Sequence, residues 1–415
     1  MPSIRSGMAG WSRRRAHPVA HEIQYSDGSE PQSIGGSVIS LSRRPVAHRG
    51  PRGEDWAVIH VVLGTKAQLV KMAPILVRLQ ERKLPHRFIH TGQHQATMEE
   101  MFEEFGLRKP DLVLHRGKDI VSLPQMAMWM ARILAQCVTA RRRIFGADPR
   151  GIVLVHGDTF STLLGALMGR TAGLRVGHVE SGLRSFNLFH PFPEEITRLL
   201  TFRLSHNLYC PGPWALENVA AYERDKVDTG CNTLSDTLAL ALAAERRSDH
   251  LPSHPFALVS LHRYENIFRR KRFVALIEIL EELAQSHRLL FILHPPTENQ
   301  LRRFGLYERL ADNPRIELGP RHTYFDFVSL LEAAEYVVTD GGSVQEESSY
   351  LGLPCLLLRE ATERSEGLGE NAVLSRLDRD TIREFAREPG RHRRPAALSR
   401  FSPSDRIIES ALAYA

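Results

Sequence analysis

Residues 337–347 read VVTDGGSVQEE. A short β-branched run ends in an acidic turn with two glycines, and a helical composition with two adjacent carboxylates follows. Strand, tight turn and helix make the repeating unit of a parallel α/β sheet, whose buried strands read as continuous apolar runs. The unit recurs on both sides. Downstream, Cys355–Leu358 precedes Arg359; upstream, Leu289–Leu293 precedes His294-Pro295 and Phe256–Leu261 precedes His262-Arg263. An earlier series sets Ala57–Leu63 before Gly64-Thr65, His86–His90 before Thr91–His94, Gly151–His156 before Gly157-Asp158, Arg175–Val179 before Glu180, and Asn207–Cys210 before Pro211. Two such series predict an α/β protein of two Rossmann-like, doubly wound parallel-sheet domains. Open sheets of this kind bind ligands beyond the carboxyl ends of their strands. Nearly every polar cluster falls there, so the two domains are expected to face each other across a cleft holding one ligand.

Composition narrows the function classes. The 415 residues are 42% hydrophobic, enough for two cores, with no apolar run long enough to span a membrane. The net charge of +6 is not gathered on folded elements: eight Arg against five acids in residues 1–55 supply half of it. Nucleic-acid binding is therefore not expected. Residues 1–54, rich in Arg, Ser, Gly and Pro, read as a disordered basic extension or a misplaced start. The four cysteines, Cys137, Cys210, Cys231 and Cys355, form no metal-binding spacing and read as reduced thiols of a cytoplasmic protein.

The strand-end clusters each have a structural and a functional reading. Gly64-Thr65-Lys66 with Lys71 offers a helix N-terminus and two cations to an anion, or two solvated lysines. Asp158 is an acid/base candidate or, with Thr159, a helix cap. Glu180 ends the next strand, and like charges on neighbouring strand ends would raise one carboxyl pKa. Glu194-Glu195 after Pro193 is a favourable helix start as well as a carboxylate source. His262-Arg263 and His294 suit a phosphate or a leaving group. In the opening stretch, Gly341, Gly342 and Ser343 read as a phosphate cradle. Two carboxylates one turn later would repel that phosphate unless one of them binds sugar hydroxyls, often a ribose. A phosphate cradle beside such a carboxylate describes a nucleoside diphosphate site.

The ordered motifs resemble the UDP-N-acetylglucosamine 2-epimerase family from about residue 56 onward. The family's VHGDT stands at Val155–Thr159, its HVEAGLR as His178–Arg184, its PEE as Pro193–Glu195, and its GNT as Cys231–Thr233 after Gly230. Its HRxEN is His262–Asn266, its SGGxQEE resembles Gly341–Glu347, and its TERPE resembles Thr362–Glu366. The resemblance implies a GT-B fold, with an N-terminal domain at 55–232, a UDP-binding C-terminal domain at 233–402, and a helix at 403–415 returning to the first domain. It implies Asp158, Glu180 and Glu194 as acid/base carboxylates, with His262, Lys66 and Lys71 serving the departing diphosphate. Gly64, His294, Gly341, Gly342, Ser343, Glu347 and Arg364 would hold the nucleotide. Gln93 and His94 would border an activating second UDP-sugar. The reaction, anti elimination and re-addition of UDP with inversion at C2, requires no cofactor or metal, and a homodimer is expected.

Lys66, Ala67 and Gln68 replace the family's Arg, Pro and Glu; the serine of SGG has moved to Ser343; Ser365 replaces a proline; and Gln95 stands where a basic residue often does. These departures leave the exact substrate and allosteric control open. Three alternatives share the site: a hydrolysing epimerase releasing free N-acetylmannosamine, a GT-B glycosyltransferase, and a UDP-sugar sensor without turnover.

Overall fold

A computed structural model describes residues 58–414 except 95–97, 118, 121–122, 147–149, 189–191, 245–250 and 400. The extension expected over residues 1–54 lies outside the described residues. The first sheet holds β1 (Val58–Leu63), β2 (His86–His90), β3 (Leu112–Val113), β4 (Gly151–His156), β5 (Arg175–Val179), β6 (Asn207–Cys210) and β7 (Asp225–Asp228), in the order β3-β2-β1-β4-β5-β6-β7. The second holds β8 (Ala257–Ser260), β9 (Leu289–Ile292), β10 (Ile316–Gly319), β11 (Tyr336–Thr339), β12 (Cys355–Leu357) and β13 (Ala372–Leu374), in the order β10-β9-β8-β11-β12-β13. Every pairing between these strands is parallel. The order reverses between β1 and β4 and between β8 and β11, which opens a crevice at the carboxyl ends of each pair. This is the GT-B arrangement.

The sequence chemistry accounts for the central elements. In β1, five of six side chains are buried, as a strand covered on both faces requires. The helix Lys66–Glu81 spaces Leu69, Met72, Leu76 and Leu79 along one stripe, each at most 2% exposed. Burying such a side chain contributes about 1.5–3 kcal/mol. Pro74 interrupts this helix and frees the carbonyl of Val70. The Thr237 hydroxyl, from the helix Leu234–Ala243, donates to that carbonyl at 2.8 Å. That second helix also buries Leu234 and Leu238 in a cluster with Val328 and Tyr350 of the C-terminal half. It thus ties the two halves together.

The last helix, Pro403–Ala413, returns to the N-terminal half. Ile407, Ile408 and Ala411 are fully buried in the cluster containing Leu69 and Met72. Asp405 anchors it to Arg78 at 2.9 Å and Arg82 at 2.6 Å. Among the described residues no helix is long and apolar enough to cross a membrane.

Candidate functional site

Two regions form where the strand ends converge. The first is a cavity of about 590 Å³ between the halves. Lys66 and Lys71 line it from the N-terminal side; His262, His294, Arg321 and Glu347 are among those lining it from the C-terminal side. The second is a cluster of carboxylates and cations behind Lys71.

The cavity is built from loops held by hydrogen bonds. Asp340, the acid of the opening stretch, is fully buried and serves as a tie. It accepts from the backbone N–H of His262 at 3.0 Å, that of Arg263 at 3.1 Å, and Asn266 Nδ2 at 2.8 Å. The helix Gly342–Leu351 begins just beyond. The first N–H groups of a helix have no intrahelical acceptor, so Gly342, Ser343 and Val344 present theirs at this end. The glycines also supply clearance. A Cβ at Gly341 would lie 2.9 Å from His262 Cε1, and one at Gly342 would lie 3.0 Å from Arg364 Nε. The rings of His262 and His294 are 4.8 Å apart. Burial first, and then the charges of His262, Arg321 and Lys66, push His294 down to about 4. Burial, and then Arg321, lowers Lys66 as well. Lys66 and Arg321 are gathered beside two imidazoles whose proton affinity is lowered, an arrangement that an anionic diphosphate would relieve. Glu347 also faces the cavity, and burial pushes its carboxyl up to about 8 against a lowering contact from Tyr324.

At the start of the first helix a capping box ties the turn down. The N–H groups of Gly64 and Thr65 both donate to Gln68 Oε1, at 3.0 and 3.1 Å. Gln68 Nε2 in turn donates to the His156 carbonyl at 2.8 Å and to Thr162 at 2.9 Å. Gly64 contributes clearance instead: a Cβ there would meet Thr91 Oγ1 at 1.9 Å. Gln93 accepts from Ser161 at 2.7 Å, and the backbone N–H of His94 donates to Gly64 at 2.8 Å, so both lie against this turn.

In the carboxylate cluster, Glu180 sits directly after β5 with φ +64, a left-handed conformation uncommon for a non-glycine residue. Its Oε1 accepts from Lys71 Nζ, from Asn232 Nδ2 at 2.6 Å and from Arg364 Nη2 at 3.2 Å. Its Oε2 lies 3.4 Å from His156 Nε2. Burial opposes ionisation, but the cations Lys71 and Arg364, with the His156 ring beside them, hold the carboxyl well below the usual range. Asp158 is relieved of capping duty because the Thr159 hydroxyl caps the next helix, and Arg198 Nη2 donates to its Oδ2 at 2.5 Å. Glu194 opens the helix Glu194–Leu204. Burial, and then Asp158 beyond a backbone hydrogen bond, raises its carboxyl, and its Oε2 has no hydrogen-bond partner among the described residues. Glu195, by contrast, is consumed by Arg184 at 2.5 Å and by the Ser185 N–H at 3.0 Å.

With this geometry in hand, comparison with known proteins is decisive. The family described as UDP-N-acetylglucosamine 2-epimerase matches residues 77–400. The chain belongs to that family. It is 31% identical over 341 residues to the UDP-N-acetylglucosamine 2-epimerase of Methanococcus maripaludis, covering 78% of this chain and 89% of that protein. It is 33% identical over 342 residues to the UDP-2,3-diacetamido-2,3-dideoxy-D-glucuronate 2-epimerase of Pseudomonas aeruginosa, covering 79% and 91%. The crystal structure of Methanocaldococcus jannaschii UDP-GlcNAc 2-epimerase in complex with UDP-GlcNAc and UDP superposes with a TM-score of 0.73 at 27% identity, covering 86% of this chain and all of that one.

Several family-motif residues stand elsewhere than the sequence suggests. The expected repulsion between Asp158 and Glu180 is absent from the charges acting on Glu180; each is neutralised by its own cation, and the raised carboxyls are Glu194, Glu347 and Glu366. Arg364, expected among the nucleotide-binding residues, lies between Gly342 of the cradle and the carboxylate cluster, where it pairs with Glu180 and Glu346. Sequence reasoning also passed over Asn232, Arg198, Glu346 and Arg321 as site residues. Asn232 was within reach through the GNT motif, and Arg198 through its position four residues after Glu194. Arg321 lies in a loop without a motif.

Proposed function

We propose that the protein is a nucleotide-sugar 2-epimerase that inverts C2 of a UDP-N-acetylhexosamine, UDP-N-acetylglucosamine in the first instance, by eliminating and re-adding UDP. One observation carries this reading: a cavity lined by Lys66, Arg321 and two histidines adjoins two carboxylates whose affinities for a proton are pushed in opposite directions. Such a split is how acid and base roles are assigned within one site. Glu180, held ionised, takes the proton from C2 while the C1–oxygen bond to UDP breaks. The departing diphosphate is received by Lys66, Arg321, His262 and the N–H groups of Gly342 and Ser343. Glu194, with its raised carboxyl, returns a proton to C2 on the opposite face as UDP re-adds at C1. Asp158, pinned by Arg198, is the neighbouring anion that favours the protonated form of Glu194. Glu347 lies where a ribose hydroxyl can reach it.

Two further features belong to this reading. The helix Leu123–Thr139 exposes Met128 by 53% and Val138 by 74%, and we assign this face to a homodimer contact, checked by light scattering. All four cysteines are free, and burial raises each thiol, consistent with a cytoplasmic setting.

Product analysis by proton NMR tests the proposal, with UDP-N-acetylglucosamine and UDP-2,3-diacetamido-2,3-dideoxyglucuronate as substrates. A C2-epimeric UDP-sugar at equilibrium supports it. Free N-acetylmannosamine with UDP selects the hydrolysing reaction. No change in either sugar, at any enzyme concentration, overturns it.

A further inference from the structure

At the cleft the two halves bring four charged groups together. The N-terminal half brings Lys71 and Glu180, which pair closely with each other. The C-terminal half brings Glu346 and Arg364, 2.5 Å apart. The contacts between the pairs are longer: 3.2 Å from Arg364 to Glu180 and 3.5 Å from Lys71 to Glu346. Each half thus brings one carboxylate and one cation, and each cation touches both carboxylates.

Glu346 is fully buried and turned away from the nucleotide cavity. Its partners are Arg364, Lys71 and the hydroxyl of Tyr350 at 3.1 Å. Its neighbour Glu347 faces the cavity instead.

We propose that Glu346 is a positioning residue: by holding Arg364 against Glu180 across the cleft, it makes the ionisation of Glu180 a property of the docked halves. The inference rests on the epimerase reading in one respect, that Glu180 is the reacting base. The groups facing Glu180 come from every element packed on it. Lys71 projects from the first helix, His156 from the end of β4, His178 from β5, Arg198 from the helix Glu194–Leu204, and Arg364 from the segment after β12. Burial pushes His156 and His178 down to about 3 and about 4, so both are neutral over the working range. The charges that remain are Lys71 and Arg364 in contact with Glu180, with Arg198 beyond them.

The test is the pH dependence of kcat/KM for C2 inversion. Wild type is expected to show no acidic limb from Glu180 between pH 5 and 7. Arg364→Met removes a cation and brings that limb into range, lowering kcat/KM about tenfold at pH 5 relative to pH 7. Glu346→Gln, with Arg364 in place, releases the guanidinium from its hold and moves the limb in the same direction by a smaller amount; in Glu346→Gln/Arg364→Met the limb coincides with that of Arg364→Met. Arg364→Lys keeps the wild-type profile. A merely structural role predicts a loss of kcat with no shifted limb. The proposal is overturned if Arg364→Met or Glu346→Gln leaves the profile unchanged. Should Arg364→Met not fold, an unchanged profile in Glu346→Gln overturns it equally. Urea unfolding between pH 4 and 7 separates this inference from the epimerase reading. The stabilisation from ionised Glu180 is present above its unfolded pKa and lost as pH falls, so Arg364→Met and Glu346→Gln both reduce it, with or without turnover.

Discussion

The cavity and the carboxylate cluster share one residue, Lys71, and follow opposite electrostatic rules. In the cluster, cations alternate with carboxylates: Lys71 lies between Glu180 and Glu346, Arg364 touches the same two, and Arg198 holds Asp158. In the cavity, Lys66, Arg321, His262 and His294 are close enough that some lower the others' proton affinity. The contrast shows where a ligand contributes charge and where the protein has already supplied it. The diphosphate completes the cavity, whereas the sugar ring meets a cluster already balanced and ready to move a proton.

Four substitutions break or sharpen this contrast. Glu180→Gln strikes the balanced region and lowers kcat by about 10³-fold, within the range expected for a lost acid/base group, while UDP binding by calorimetry persists. Glu194→Gln lowers kcat by about 10²-fold and abolishes the upper limb of the pH–rate profile. Arg321→Ala strikes the cavity; it weakens UDP binding about tenfold, or ~1.4 kcal/mol, and makes it less sensitive to salt, with little loss of kcat at saturation. Glu347→Gln leaves the chemistry least affected and is read in stability. The folded carboxyl titrates at about 8, above its unfolded value near ~4.3, so the folded state retains a proton that the unfolded chain releases between those values. Wild-type stability therefore falls as pH rises through that window, and the variant lacks this fall. Its Tm should gain on wild type from pH 5 to pH 8.

The central strands were readable because they are covered on both faces and carry continuous apolar runs; β1, β4, β8 and β11 fall where those runs lie. The edge strands were not. In β7 the sequence Asp225-Lys-Val-Asp228 alternates charge with little apolar content because the strand is paired on one side only, and β10 carries an exposed Glu317. The site divides similarly. Strand-end loops announced themselves through glycines and local motifs. The partner of Asp158 did not, since Arg198 reaches it from a helix 40 residues on. Nor could sequence separate Glu346 from Glu347. They lie one step apart on a helix, and which of them faces the cavity depends on where Arg364 sits.

The most direct measurement is proton NMR in heavy water, comparing wild type with Glu180→Gln on UDP-N-acetylglucosamine. The account predicts that wild type exchanges the C2 proton for deuterium as the 2-epimer forms, and that the variant does neither while still binding UDP. Epimer formation with the C2 proton retained, or full exchange by the variant, would contradict it.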